Sequence, residues 1–285
     1  MKRIILGTMT WGSWGKQKSI QQMADSIETA VNKGFTTFDH ADIYGGYTTE
    51  ENFGAAFEKT GIPRSKVEWI TKCGIQYPCE ARELAVKHYD YSPEHIAFSV
   101  ESSLNHLRTD YLDLLLLHRP SPLLDAQAVG ETLQQLLKSG KVLKVGVSNF
   151  TPQQIRLLQT YIPVEWNQIQ CSLTHLDPLF DDSLDFHQQV GIGTMAWSPL
   201  GTYFKQTDEQ HMRLAPLVND LSKRYGCTPD QLLIAWLCKH PAKIYPVIGS
   251  TQPDRWELAH AATSIELSLT DWFLLLEASQ GHKVP

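Results

Sequence analysis

The sequence is short of the features that would tie it to a membrane, a nucleic acid or an oxidising compartment. It contains no run of about 18 apolar residues, so no segment reads as a membrane-spanning helix. Lys and Arg nowhere cluster, and a net charge of −6 with a pI near 6.0 leaves no electrostatic footprint for nucleic acid. The start, MKRIILGTMTW, has basic residues but only a short apolar run and no cleavage pattern, which argues against a signal peptide. Cysteines number five (Cys73, Cys79, Cys171, Cys227, Cys238), an odd and scattered set with no CxxC pair. That pattern favours reduced thiols in the cytosol over a disulfide framework or a zinc site. Low-complexity stretches and interdomain linkers are also missing. The expectation is therefore one cytoplasmic domain over residues 1–285, with no nucleic-acid or membrane partner and with protein partners undetermined.

What the sequence does contain is a repeated alternation. Short apolar runs at 3–8, 36–40, 68–72, 112–118, 142–148, 166–171, 193–197 and 244–248 read as eight strands. Amphipathic segments at 20–32, 93–107 and 131–138 lie between them. Ser92-Pro93 and Thr151-Pro152 place a capping hydroxyl before a first-turn proline, and Gly34, Gly140 and Gly226 follow helix ends. The LDLLLL run at 112–117 is apolar on both alternating faces, as a parallel strand covered on both sides requires. Eight βα units in 285 residues fit an α/β fold of the (β/α)8 TIM-barrel type, for which about 250 residues is typical. Two connections, 73–91 and 200–210, are long and aromatic and read as substrate walls.

Four polar residues stand where apolar runs end: Asp39, Tyr44 just beyond it, Lys72 and His118. In a barrel, strand carboxyl ends converge on one pocket. A phenol titrates near 10 unassisted, and an ammonium at ~4 Å in an effective dielectric of ~20 offers about 4 kcal/mol to its anion. A carboxylate is then needed to keep the buried ammonium charged. Carboxylate, ammonium and phenol form a proton-donating chain, and His118 can direct a carbonyl oxygen toward the phenol.

Together with the motifs FDHADIYG, TKCG, LDLLLLHRP, KVGVSNF, WNQIQ, MAWSPLG and VIGSTQPDR, these residues resemble the aldo-keto reductase family. The resemblance runs from LGTM at Gly7 to the last helix. It implies a TIM barrel that uses NADP(H) to interconvert carbonyls and alcohols. Tyr44 would be the general acid, Lys72 would lower its pKa, Asp39 would pair with Lys72, and His118 would orient the carbonyl. Gly7, Thr8, Met9 and Asp39 would belong to the cofactor site. Ser148, Asn149 and Gln168 would bind the carboxamide, and Trp197 would stack on the nicotinamide. Ser198 and Leu200 would line the pyrophosphate, and Gly249, Ser250, Thr251 and Arg255 would hold the 2′-phosphate, which a guanidinium and two hydroxyls suit.

The chain also departs from the family. Leu258-Ala259 stands where an adenine-contacting Glu-Asn pair is common, Met1 leads straight into the first strand without a hairpin plug, and the tail after Thr270 is short. An open pocket and broad tolerance for small carbonyl substrates would follow. Trp11, Tyr44, Tyr77, His118, Trp197 and Tyr203 are the candidate substrate-pocket residues.

Three other patterns compete. GIGTMA at 191–196 fits a dinucleotide fingerprint, but its glycines precede a strand rather than a helix. SWGK at 13–16 matches SxxK without its companion motifs. His40 and Asp42 beside Asp39 raise a barrel metallohydrolase, for which only His118 adds a ligand, so no metal is expected. A second function on the same fold is an NADP-binding regulatory or sensing subunit with weak turnover.

Overall fold

The computed structural model describes residues 3–285. Its strands are β1 (Ile5–Gly7), β2 (Thr37–Asp39), β3 (Glu68–Cys73), β4 (Ile75–Gln76), β5 (His88–Tyr89), β6 (Leu114–Leu117), β7 (Val145–Ser148), β8 (Trp166–Gln170), β9 (Gly193–Trp197) and β10 (Tyr245–Ile248). Its helices are α1 (Ile20–Asn32), α2 (Thr49–Thr60), α3 (Pro93–Leu107), α4 (Ala126–Lys138), α5 (Pro152–Gln159), α6 (Ser183–Val190), α7 (Glu209–Arg224), α8 (Pro229–Cys238), α9 (Pro253–Ala262) and α10 (Leu269–Gln280). Eight strands close into an all-parallel barrel in the order β1, β10, β9, β8, β7, β6, β3, β2. The expected (β/α)8 architecture is the one observed, and all eight anticipated strands are present.

The period-2 alternation of each strand separates two cores. Leu115 and Leu117 of β6 point outward into the layer between sheet and helices, whereas Leu114 and Leu116 fill the barrel with Ile5, Ile70, Met195 and Val247. Helix starts follow their caps: Ser92 accepts from the His95 amide, and Thr151 forms a reciprocal capping box with Gln154. A second outer cluster, between α7, α8 and α10, is closed by Trp236 and Trp272. Their rings stack 4.9 Å apart, and each indole N–H donates to the other's carbonyl oxygen at 3.1 and 3.0 Å. Both tryptophans are packing residues, as helix periodicity implies.

The connection at 73–91 folds into the antiparallel hairpin β4–β5, with Ile75 opposite Tyr89 and Gln76 opposite His88. Gly74 enters it at φ +103°, and a Cβ there would stand 2.1 Å from the Tyr91 ring. No sequence signal specified this hairpin, because its strands are two residues each and β5 is exposed. Of the GIGTMA glycines, Gly191 caps α6 at φ +73° and Gly193 opens β9, where a Cβ would collide with the Trp166 ring at 2.2 Å. The pattern therefore serves packing inside the barrel and is no fingerprint.

Candidate active site

The same alternation that fills the barrel builds its mouth. Two residues beyond the filling positions Ile5, Ile70, Leu116, Met195 and Val247 come Gly7, Lys72, His118, Trp197 and Gly249. Asp39 and Ser148 end β2 and β7, and Gln168, in the middle of β8, pairs with Ser148. Of these eight, seven line a cavity of about 1250 Å³, and Lys72 lies behind Tyr44 at its base. Tyr44 arrives differently. After β2 the chain turns through Gly45 and Gly46, at φ +64° and +67°, and the phenol folds back over the strand ends before α2 begins. Those left-handed positions are ones that glycine adopts without strain.

Lys72 is the hub. Its ammonium donates to both Asp39 oxygens at 2.8 Å, to the His40 carbonyl at 2.7 Å and to the Tyr44 hydroxyl oxygen at 3.1 Å. Burial works against its charge, but Asp39 and then Tyr44 outweigh that and raise its pKa. Burial also dominates at Tyr44, where it raises the phenol above 10.0 although Lys72 and, more weakly, Arg119 pull the other way. The Lys72 contribution has the expected sign, yet the net direction is the reverse of that expected. Desolvating a phenolate costs more here than one shared ammonium returns. That direction favours a protonated hydroxyl at neutral pH.

His118 sits edge-on to Tyr44 with ring centroids 6.2 Å apart. Burial, with Lys72, Arg119 and Lys87 adding to it, drives its pKa well below 6.5, so the imidazole is neutral. A polar chain leaves Asp39 in the other direction. Gln168 donates to Asp39 at 2.8 Å, Ser148 to the Gln168 carbonyl at 2.9 Å, Asn149 to Ser148 at 2.8 Å, and the Trp197 indole to Asn149 at 3.0 Å. Asn149 and Ser198 hold left-handed backbone at φ +59° and +49°, a cost that non-glycine residues meet chiefly at functional sites.

Met9, Ser198, Leu200, Gly249, Ser250 and Arg255 line the same cavity. Thr8, Asn149 and Thr251 do not line it. Thr8 is fully buried and donates to the Asp39 carbonyl, Asn149 donates to Ser148, and Thr251 directly precedes Gln252, the N-cap of α9. Arg255 is held by Asp230 at 2.8 Å, and Ala259 presents only a methyl group to the cavity. Tyr77 and Trp197 line the cavity as well.

Trp11 and Tyr203 need correction as pocket residues. Trp11 is fully buried against Phe38 and Phe53, and Tyr203 packs in the outer core beside His211. Their neighbours Trp14 and Phe204 line the cavity instead. Aromatic content marked the right loops, but which ring turns inward depends on loop backbone that carries no period. Lys87 and Arg119 also line the cavity and were not anticipated. Arg119 adjoins His118 in sequence and could have been found. Lys87 is placed by the hairpin alone.

His40 is fully buried beside Thr8. Its Nδ1 lies 2.9 Å from the Thr8 hydroxyl, and burial, then Lys72 and Arg64, take its pKa to about 3. Among the described residues no three His, Cys, Asp or Glu side chains are grouped to hold a metal ion. Behind the site Glu50 accepts from Thr71 and from Ser103 (2.9 Å), and burial raises its pKa from 4.5 to about 7. A raised carboxyl pKa favours the native state at low pH, and that stability is lost as pH rises through about 7. Glu50→Gln, which stays neutral, should therefore gain on the wild type by roughly 2–3 kcal/mol between pH 5 and pH 8. Urea unfolding of both proteins at the two pH values measures that difference, and a constant difference would refute it.

Comparison with known proteins agrees with this geometry. The family model described as "Aldo/keto reductase family" matches residues 3–278. An uncharacterized oxidoreductase YcsN of Bacillus subtilis is 40% identical over 99% of this chain and 96% of its own. A 6-dehydroglucose reductase of Agrobacterium fabrum is 38% identical over 99% of this chain and 97% of its own. Among solved structures, a thermostable aldo-keto reductase, Tm1743, in complex with the inhibitor epalrestat superposes with a TM-score of 0.83 at 25% identity. That superposition covers 98% of this chain and 95% of that one.

Proposed function

The chain belongs to the aldo/keto reductase family, and from that premise we propose that it is a single-domain, NADP(H)-dependent oxidoreductase that reduces aldehyde or ketone carbonyls to alcohols. One observation carries the reading: a phenolic hydroxyl 3.1 Å from a carboxylate-held ammonium, beside a buried imidazole, at the mouth of a closed barrel. The cavity suits a dinucleotide. Its lining includes His118 and Trp197 as well as Ser250 and Arg255, and Gly7 and Gly249 add no side chain to its wall. Ser148 and Gln168 would hold the carboxamide, Trp197 the nicotinamide face, and Arg255 with Ser250 the 2′-phosphate. The nicotinamide, when bound, supplies the hydride.

The protein's own part is proton management. His118, neutral, points the carbonyl oxygen toward Tyr44. The Tyr44 hydroxyl gives its proton to that oxygen as the alcohol forms, and Lys72 stabilises the phenolate left behind. Asp39 keeps Lys72 charged, and Gln168 holds Asp39 in place. Five free thiols support a cytosolic location.

NADPH oxidation by the purified protein with 4-nitrobenzaldehyde or methylglyoxal tests the reading. One alcohol formed per NADPH supports it. Tight cofactor binding with no carbonyl turned over would favour a regulatory or sensing subunit instead. The preference for NADP is testable separately. Arg255→Ala removes one charge-assisted bond and leaves Asp230 facing the phosphate, so KM for NADPH should rise about 10- to 100-fold. KM for NADH should move far less, and equal changes for both cofactors would remove Arg255 from the 2′-phosphate site.

A further inference from the structure

We propose that the substrate of this site carries an anionic group, a carboxylate or a phosphate, remote from its carbonyl and bound between Arg119 and Lys87. The inference rests on the reductase reading above and narrows its substrate class.

The charges lining the cavity fall into two sets. In one, Arg255 is already paired with Asp230, and Lys205 stands on the loop after β9 beside Leu200 and Phe204. In the other, Arg119 and Lys87 share the wall with His118, Trp14 and Tyr77. Only two acids line the whole cavity, Asp39 and Asp230, and each is committed to another cation. The side chains of Arg119 and Lys87 enter no ion pair or hydrogen bond among the described residues. Two unneutralised cations lining one cavity leave an uncompensated positive charge there, which an anion would balance.

Their placement is built rather than incidental. The Tyr91 hydroxyl donates to the Arg119 carbonyl at 2.6 Å and accepts from the Arg119 amide at 3.1 Å, which fixes that backbone at both ends of the residue. Tyr91 in turn fills the space that Gly74 leaves at the entrance to the hairpin, and Lys87 is carried on that hairpin next to β5. The Arg119 guanidinium lies 5.3 Å from the Trp197 ring centre. Trp14 packs edge-on against Tyr77 at 5.2 Å and, tilted by 58°, against Tyr44 at 6.2 Å, giving the slot an apolar wall. A molecule with a reactive carbonyl at Tyr44, a short apolar body and an anionic end meets all three surfaces.

Steady-state kinetics with NADPH on 4-carboxybenzaldehyde and 4-nitrobenzaldehyde, which share a ring and differ in charge, test this. Arg119→Gln should raise KM for 4-carboxybenzaldehyde about tenfold or more and change that for 4-nitrobenzaldehyde far less. Lys87→Gln, at an exposed position, should act in the same direction if the Arg119 variant fails to fold, and added salt should weaken only the anionic substrate. Equal effects on both aldehydes, or none, would overturn the anion site and leave the reductase reading intact. If the wild type turns over neither aldehyde, the reductase reading fails. Titration with benzoate against benzamide then decides the site: preference for benzoate that Arg119→Gln abolishes keeps it, and equal binding removes it.

Discussion

Replacing Tyr44 by phenylalanine should lower kcat for 4-nitrobenzaldehyde at least ~10²-fold, the scale of losing a positioned general acid, while NADPH still binds. The reason is local. The ring of Tyr44 packs with Ala41, Ile43 and Ile75, and phenylalanine preserves that packing. Only the hydroxyl disappears, and with it the proton that the carbonyl oxygen requires. His118 cannot take over, because its pKa lies well below 6.5 and a neutral imidazole is a poor donor. Rapid-mixing measurement of hydride transfer, with cofactor binding measured by fluorescence, separates the two steps. A kcat within a few-fold of wild type would assign the proton to another group.

Lys72→Met should cost both rate and stability. The ammonium and the Asp39 carboxylate are both buried, and removing one partner strands the other. Breaking such a pair costs about 3–5 kcal/mol, and here Gln168, at 2.8 Å, would be the one side-chain donor left on Asp39. Combining Lys72→Met with Asp39→Asn removes the stranded charge and should restore most of the stability. It should restore none of the rate, since nothing then supports a phenolate at Tyr44. Urea unfolding and kcat on the single and double variants measure this split. Recovery of activity along with stability would mean that the pair holds the fold and takes no part in chemistry.

Much of this architecture could be read from the residues themselves. The strands were visible because a parallel barrel strand is apolar on both faces, so that β6 reads LLLL where an exposed sheet would alternate. The proposed catalytic quartet was visible because polar residues at strand ends interrupt such runs, as Asp39, Lys72 and His118 do. The net direction at Tyr44 was not visible, because it depends on how deeply the turn tucks the phenol. The hairpin at 75–89 was also hidden. Its residues, Lys87 among them, are positioned by Gly74 and Tyr91, a contact across 17 residues that no local pattern encodes. Trp11 and Tyr203 were misplaced for the same reason: loop backbone, not sequence period, decides which neighbouring ring faces the cavity.

The dependence of kcat on pH puts the assignment of the proton donor to its most direct trial. With a neutral His118 and a phenol raised above 10.0, carbonyl reduction should run level through neutrality and fall only on the alkaline side, as Tyr44 loses its proton. A rate that instead falls as pH rises through 6.5, the ordinary range of an imidazole, would hand the proton to a histidine and contradict the account.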